Sequence, residues 1–287
     1  MKNAWETYGA TRYGDRILAV RVENDGARLM VTSLQSSDTG LTRDTLDSGR
    51  LFFAVDERLA VVKKIRVRKT SLLETADLVR FEMSQMLLDR PDAFYFDSLP
   101  LDEPDGCRRF LAIAYHRRRI DACIEEYTQR LRKPSGFKLD AVALATGYLT
   151  FCRVAPGDLQ VLIDIGPENA TIALIHNRRL RSVGRLDAPF SSGVTIPLAN
   201  RLGAELKMKL GYLLAELFDE GITVPVARVI LSGPYAGDDL LAAALAEHIT
   251  AEVSRPDFHA GYFQPEAAEG IDGRLEQFLI PLGLAVG

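Results

Sequence analysis

Two stretches of this sequence carry residue types that could bind a nucleotide, and the first contains Asp164 and Gly166. These residues stand one position apart at the end of an apolar run, and a polar loop ending in Asn169 follows them. A glycine here would let backbone amides approach a phosphate, and the carboxylate could hold hydrated magnesium. A plain hairpin turn explains the same residues without a ligand, because so short a match is weak alone.

The second stretch is a glycine loop that contains Gly233 and Gly237. It follows a buried type of strand at residues 226–231 and leads into a helix pattern at residues 238–253. A strand, a glycine loop and a helix N-terminus together favour an anion or a flat base packed on the backbone. Taken alone, this stretch is explained better by a tight turn in which Asp238 is the helix N-cap.

Strand patterns surround Asp164 on both sides. Residues 161–165 and 171–175 are apolar or β-branched runs, and residues 180–183 alternate apolar and basic side chains. A dinucleotide-binding fold would open a helix directly after Gly166, whereas the turn residues here predict a hairpin. The sequence therefore predicts three consecutive strands at this place and argues against a Rossmann fold.

The beginning of the chain repeats this pattern. A polar, glycine-bearing loop at residues 8–15 precedes a strand, turn and strand pattern at residues 17–33. Such an internal duplication predicts two similar lobes. The first-half positions that correspond to Asp164 and Gly166 are Thr11 and Tyr13, or Arg12 and Gly14 after a one-residue slip.

A compact α+β insert is predicted between the two repeats. Residues 51–55 and 59–67 have the pattern of a strand pair, and a capping box from Ser71 to Glu74 begins a helix that Pro91 stops. Two further short strands follow. The apolar face of the helix is predicted to contain Leu78, Phe81, Gln85 or Met86, and Leu88.

The composition is that of an ordinary soluble globular protein, because 47% of the 287 residues are hydrophobic and 26% are charged. The net charge of −4 argues against nucleic acid as a main partner, since phosphate binding needs a dominant basic field. No apolar run is long enough to cross a membrane and Met1-Lys2-Asn3 begins no signal peptide, so we expect a cytoplasmic location. The three cysteines are predicted to be reduced thiols, and the four histidines lack metal-binding spacing.

Four stretches, read in order, resemble the motifs of the actin-like ATPase fold. The phosphate-2, following-helix, adenosine and C-terminal motifs correspond to residues 162–166, 192–195, 230–233 and 281–285. Their order, together with the strands and the helix of the insert, is most similar to the PilM family of type IV pilus assembly proteins. FtsA and GspL are relatives of that family.

This resemblance implies an actin-like α/β fold with two duplicated, ribonuclease H-like lobes and an α+β subdomain inserted in the first. We therefore expect a first lobe over residues 1–154, with the insert at about residues 50–115, and a second lobe over residues 155–287. The stretch at residues 35–49 is rich in Ser, Thr, Asp and Gly, so it is predicted to be a short irregular linker.

The resemblance also implies a nucleotide site, whose residues would be Asp164, Gly166, Asn169, Lys207, Gly233 and Gly237. The family's first phosphate motif, Asp-x-Gly, is missing at residues 11–13, and Pro234 replaces a glycine of the adenosine motif. The register near Lys207 is ambiguous, because one alignment places Ala204 at the expected glutamate and the other places Met208 at the expected lysine. We therefore expect ATP and magnesium to bind weakly or not at all, which points away from an enzyme.

The PilM resemblance implies a cytoplasmic scaffold at the inner face of the membrane, held there by a bitopic partner of PilN type, and leaves self-association open. The partner's N-terminal peptide would dock in a groove between the first lobe and the insert, formed by Phe52, Val55, Lys63, Lys64, Leu78 and Phe81. The same residues could instead fill the insert's own core. Two other functions stay open: a sugar or metabolite kinase or active ATPase of the superfamily, and a GspL-like component of type II secretion.

Overall fold

The computed structural model describes residues 5–39, 41–42, 45–46, 49–103, 106–268 and 274–286. Met1-Lys2-Asn3, where no signal peptide is predicted, lies outside these residues. Part of the predicted linker at residues 35–49 also lies outside them. The chain divides into two compact units. The smaller unit is Val55–Gln129, and the larger unit combines Met1–Ala54 with Arg130–Gly287.

The first sheet of the larger unit has five strands. They are β1 (Trp5–Tyr13), β2 (Arg16–Asn24), β3 (Leu29–Ser36), β4 (Arg50–Val55) and β8 (Gly136–Leu139). Their order across the sheet is β3-β2-β1-β4-β8. β1, β2 and β3 form an antiparallel meander, and β4 pairs with β1 in parallel.

The second sheet repeats this arrangement. Its strands are β9 (Leu159–Ile165), β10 (Asn169–His176), β11 (Arg179–Asp187), β12 (Val226–Ser232) and β13 (Glu252–Ser254). Their order is β11-β10-β9-β12-β13, with β9 to β11 antiparallel and β12 parallel to β9. The three strands predicted around Asp164 and the predicted duplication are therefore confirmed.

The two hairpin turns align the halves residue by residue. Tyr13 is the last residue before a two-residue turn in the first half. Gly166 is the last residue before a two-residue turn in the second half, because its N–H donates to the carbonyl oxygen of Asn169 at 2.8 Å. Counting back two residues from each turn matches Thr11 to Asp164, so the structure selects the first of the two predicted registers.

The stretch at residues 8–15 forms most of strand β1 and is not the predicted polar loop. Thr7 and Thr11 are only 2% and 4% exposed, so polar side chains line a buried strand. Gly9 permits a close approach of backbone, since a Cβ there would meet the carbonyl oxygen of Pro281. Threonine and glycine conceal this strand from a hydrophobicity pattern, because a strand buried on both faces normally shows an apolar run.

Four helices complete the larger unit: α3 (Asp140–Phe151), α4 (Ile196–Asp219), α5 (Asp239–His248) and α6 (Leu279–Val286). α6 packs on β1 and β2, whereas α3 packs on β10 and β11. α3 and α6 cross closely, because a Cβ at Gly147 or Gly283 would meet a backbone carbonyl oxygen of the other helix. The unit is therefore layered as sheet, α6, α3, sheet, and α4 and α5 share a further core with the second sheet.

The helix predicted at residues 238–253 is shorter in the structure. α5 ends at His248, and its C-cap Ile249 has an extended backbone conformation. Residues 252–254 form β13, in agreement with the preference of β-branched side chains for strands. No helix among the described residues is long and apolar enough to cross a membrane.

The smaller unit contains β5 (Ala60–Arg68), α1 (Leu72–Ser84), β6 (Phe94–Asp102), β7 (Cys107–His116) and α2 (Arg117–Arg130). Its sheet is antiparallel, and β7 lies between β5 and β6. α1 begins with the predicted capping box of Ser71 and Glu74. It contributes Val79 and Met83 to the core of this unit.

Two predictions about the secondary structure of the insert, its strand pairing and its helix face, are wrong. Residues 51–55 and 59–67 do not pair with each other, because β4 pairs with β1 and β5 pairs with β7. The buried face of α1 is formed by Thr75, Val79 and Met83, whereas Phe81 is 58% exposed. The compact unit also continues to Gln129, beyond the expected limit near residue 115, since it includes α2.

Candidate functional site

Asp164, at the end of β9, is the centre of the predicted nucleotide site, and protein side chains bind both of its oxygens. Tyr13 donates its phenol hydrogen to Oδ1 at 2.6 Å, and Ser232 Oγ lies 2.7 Å from Oδ2. Ser232 Oγ also lies 2.7 Å from the carbonyl oxygen of Glu276, so one hydroxyl links Asp164 to that backbone. Because Asp164 is only 2% exposed, these groups replace the water that a carboxylate would otherwise bind.

The protonation states of this cluster follow mainly from burial. Burial raises the pKa of Asp164 to about 6, although the hydrogen bonds from Tyr13 and Ser232 lower it. The pKa of Tyr13 is raised well above its usual value, first by burial and then by the charge of Asp164. At neutral pH, Asp164 is therefore a carboxylate and Tyr13 a neutral donor, which makes their hydrogen bond charge-assisted.

Tyr13 reaches Asp164 from the position that corresponds to Gly166 in the other half. The tyrosine ring lies against that glycine, because a Cβ on Gly166 would come within 3.0 Å of ring atom Cδ1. The next residue, Gly14, has a φ of +62°, and a Cβ there would lie 3.7 Å from Pro167 Cγ. The two hairpin turns therefore lie against each other, with the Tyr13 side chain between them.

Backbone amides that would cradle a phosphate are hydrogen-bonded within the chain. In addition to Gly166, Gly233 donates its N–H to the carbonyl oxygen of Glu276 at 3.1 Å. Tyr235 donates its N–H to the carbonyl oxygen of Ile165 at 3.3 Å. An anion at this place would have to displace these bonds before it could use the amides.

Only some of the predicted nucleotide residues lie near Asp164. A Cβ on Gly233 would come within 3.0 Å of Asp164 Oδ1, and the φ of +90° at this residue favours glycine. Gly237 is exposed before α5, where the Asp238 side chain accepts hydrogen bonds from two backbone N–H groups of the first turn. Lys207 is exposed on α4, and within the described chain no hydrogen bond or ion pair joins it to Asp164.

Tyr13 and Ser232 are the partners of Asp164 that the sequence did not assign. The equal spacing of the two hairpin turns was a usable signal for Tyr13, because it places a tyrosine where the second half has glycine. Ser232 stands 68 residues from Asp164, and nothing in its local sequence indicates that contact.

The described residues contain no group of three or more His, Cys, Asp or Glu side chains that could hold a metal ion. The three cysteines are reduced thiols, as predicted. Cys107 and Cys123 in the smaller unit are half-buried, whereas Cys152 in the larger unit is buried and burial raises the pKa of its thiol.

The residues predicted to form a partner groove fall in both units. In β4, Phe52 lies against Gly136, because a Cβ on that glycine would come within 2.8 Å of the ring. The guanidinium carbon of Arg50 lies 5.6 Å from the centre of the same ring. Val55 is only 1% exposed, so of these two groove residues only Phe52 presents surface.

The other predicted groove residues belong to the smaller unit. Lys63 is exposed and Lys64 half-exposed on β5, a terminal strand of the sheet. Leu78 packs against the core of this unit, as in the alternative that these residues fill the insert's interior. Phe81 is 58% exposed, which leaves Lys63, Lys64 and Phe81 as the accessible members in this unit.

The smaller unit also exposes large apolar side chains on and after α1. Phe81, Met86 and Leu88 are 58%, 50% and 106% exposed. β5 carries basic residues in the same unit: Lys63, Lys64, Arg66 and Arg68. The smaller unit therefore exposes both large apolar and basic side chains.

The chain matches no protein-family model, and no curated protein matches it in sequence. Its structure is similar to a chain of the PilM-PilN type IV pilus biogenesis complex, with a TM-score of 0.71 and 18% identity over 98% of this chain and 97% of that chain. The cytoplasmic domain of EpsL, an inner membrane component of the Vibrio cholerae type II secretion system, gives a TM-score of 0.47 and 8% identity over 80% and 82% of the two chains. A Bacteroides thetaiotaomicron protein with an actin-like ATPase fold gives a TM-score of 0.46 and 9% identity over 88% of this chain and 90% of that chain. The first of these similarities, together with the two repeated sheets and the inserted α+β unit, confirms the predicted fold.

Proposed function

We propose that this chain is an actin-like scaffold of type IV pilus assembly that binds the cytoplasmic N-terminal peptide of a PilN-type membrane protein. The observation that carries the proposal is the similarity, over 98% of the chain, to a chain of the PilM-PilN complex. Such a scaffold would lie at the cytoplasmic face of the inner membrane and be held there by its partner.

Nucleotide turnover is not part of the proposed role. In phosphoryl transfer, charge stabilisation by metal ions contributes several kcal/mol, and a carboxylate must be available to hold the metal. Both oxygens of Asp164 are instead hydrogen-bonded to Tyr13 and Ser232. In this proposal ATP and magnesium bind weakly or not at all, which also disfavours the kinase alternative.

The exposed members of the predicted groove are the proposed contacts for the partner peptide. Lys63 and Lys64 lie on a terminal strand and provide positive charge, and Phe81 provides accessible apolar surface. Basic residues of this kind steer a peptide that carries acidic groups and increase its rate of association. Partner binding should therefore depend on the smaller unit and not on Asp164.

A pull-down with the N-terminal peptide of the PilN-type partner tests this function. We expect Asp164→Asn to retain binding and the double variant Lys63→Glu, Lys64→Glu to lose it. A matched control, Arg153→Glu with Arg179→Glu, makes the same change in charge at exposed positions of the larger unit. If Asp164→Asn alone abolishes binding in a folded protein, nucleotide-gated action is the better account.

A further inference from the structure

A recess lies between α1 and β6 in the smaller unit, apart from the predicted groove residues on β5. Its volume is about 300 Å³. Val79, Met83 and Phe96 contribute apolar lining, and Asp77 and Asp97 are exposed at the rim. This volume suits one apolar side chain of a peptide better than a whole small-molecule ligand.

The strand beside the recess, β6, is a terminal strand of its sheet. Pro100 lies opposite Phe110 of β7 but has no N–H to donate to it. In an antiparallel pair every second residue of a strand bonds to the same neighbour, so Phe96 and Ser98, like Pro100, do not donate an N–H to β7. Ser98 has the same parity, and its N–H bonds to Asp97 Oδ1 at 2.8 Å. We infer that backbone groups of Phe96 and Ser98 face the open edge, where an added strand can pair with them once it displaces Asp97 Oδ1 from the Ser98 N–H.

The charges around the recess define which strand would fit. The guanidinium carbon of Arg80 lies 5.2 Å from the centre of the Phe96 ring, so this cation is stacked on the wall. Asp77 adds an acidic group at the rim near Arg80, and Asp97 adds a second one on β6 next to the recess. Phe96 and Ser98 share a face with the recess, whereas Asp97 points to the other face of the sheet. In a strand paired with β6, one residue would therefore face the recess and the residue next to it would face Asp97.

We propose that the recess binds an extended peptide as a fourth strand on β6. One apolar side chain fills the recess, and the adjacent residue is Lys or Arg opposite Asp97. The sequence pattern of the occupant is therefore apolar, basic, apolar. This site differs in place and charge from the proposed PilN-type contact at Lys63 and Lys64, and it stands whether or not that function is correct.

A phage-displayed library of random 12-residue peptides, selected on the full chain, tests the proposal. Peptides that also bind Ala76→Arg are removed, because an arginine at this exposed recess position on α1 would fill the recess. We expect the remaining peptides to share the apolar, basic, apolar pattern. Failure to enrich any peptide that depends on the recess would overturn the proposal.

A selected peptide is then synthesised and its affinity measured by calorimetry. Ala76→Arg and Asp97→Lys should each weaken binding at least about tenfold, the latter through like-charge repulsion. The control Gln85→Arg adds the same charge as Ala76→Arg at an exposed position outside the recess lining, and it should change affinity less than about twofold. The double variant Lys63→Glu, Lys64→Glu should still bind, which separates this site from the partner contact.

N-methylated peptides decide whether main-chain pairing occurs. Methylation of an N–H that faces β6 should weaken binding at least about tenfold, and methylation of its neighbour should weaken it much less. Equal losses at both positions would exclude a paired strand. A concentration-dependent dimer that Ala76→Arg abolishes would instead assign the recess to a second copy of the chain and overturn the peptide proposal.

Discussion

The Asp164 cluster and the recess beside β6 differ in how their polar groups are satisfied. At Asp164, a buried carboxylate finds its hydrogen-bond partners in the same chain. At the recess, a terminal strand directs backbone groups outward beside apolar walls and an acidic rim. The hydrogen bonds of the first region are made inside the chain, although burial makes the ionised form of Asp164 unfavourable for folding. If the two proposed binding sites are correct, recognition belongs to the smaller unit.

The largest effect should come from removing the buried Tyr13 ring of the Asp164 cluster, compared with removing an exposed ring, Phe81, of the smaller unit. Tyr13→Ala should lower the free energy of unfolding by about 3 to 5 kcal/mol, because it leaves a cavity and removes a donor from Asp164. Phe81→Ala should change it by less than about 1 kcal/mol, since that ring is 58% exposed. Urea unfolding followed by fluorescence of Trp5, which packs against the core of the larger unit, measures the first effect; circular dichroism measures the second. Equal losses of unfolding free energy in the two variants would contradict this prediction.

A smaller effect should appear in the pH dependence of stability. Because burial raises the pKa of Asp164 to about 6 from 3.8, its contribution favours folding fully below about pH 4 and is lost as the pH rises through 6. Relative to Asp164→Asn, the wild type should lose about 1 kcal/mol of unfolding free energy between pH 5 and pH 7. Urea unfolding of both proteins at the two pH values measures this change. A constant difference would mean that Asp164 titrates as an exposed carboxyl group does.

Magnesium-ATP should bind this chain only weakly. Calorimetry should give a dissociation constant no better than about 0.1 mM, which corresponds to about 5.5 kcal/mol. The physical reason is that Tyr13 occupies the space beside Gly166 and the nearby amides already have acceptors. A low-micromolar constant would show that a nucleotide displaces Tyr13, and the contrast between the two regions would then fail.

The three thiols should differ in how fast they react, which is a contrast in accessibility and not in stability. A titration of the unfolded, unreduced protein should count three thiols. In the folded protein, Cys107 and Cys123 should react first, and Cys152 should react much more slowly, because burial limits access and raises its pKa. Mass spectrometry after brief alkylation assigns the sites. Early modification of Cys152 would show that the larger unit opens locally.

The second half of the larger unit could be predicted from sequence because its strands are apolar runs with clear turns. β1 could not, since threonine and glycine occupy its buried positions. The face of α1 was predicted only in part: Leu78 packs against the core as expected, whereas Phe81 is exposed and the less hydrophobic Thr75 is buried. A hydrophobic pattern predicts which side of a helix is apolar, but packing against the rest of the protein decides which of its side chains are buried.

The chemistry of the candidate site was less predictable than the fold. Asp164 and the missing Asp-x-Gly motif were visible, but the contact with Tyr13 joins residues 151 positions apart. No local pattern reports a contact of that range. The duplication reports it indirectly, because it places Tyr13 and Gly166 at matching turns of two similar hairpins.

The position of α6 has a consequence for the newly made chain. Leu282 and Ala285 of α6, with Phe278 just before it, complete the core that includes Leu18 and Val20 of β2. A ribosome adds about 5 to 20 residues per second, so the first strands leave it roughly 10 to 50 s before residues 279–286 are made. Throughout that interval α6 is missing from this core, so part of the apolar inner face of the first sheet stays exposed to solvent.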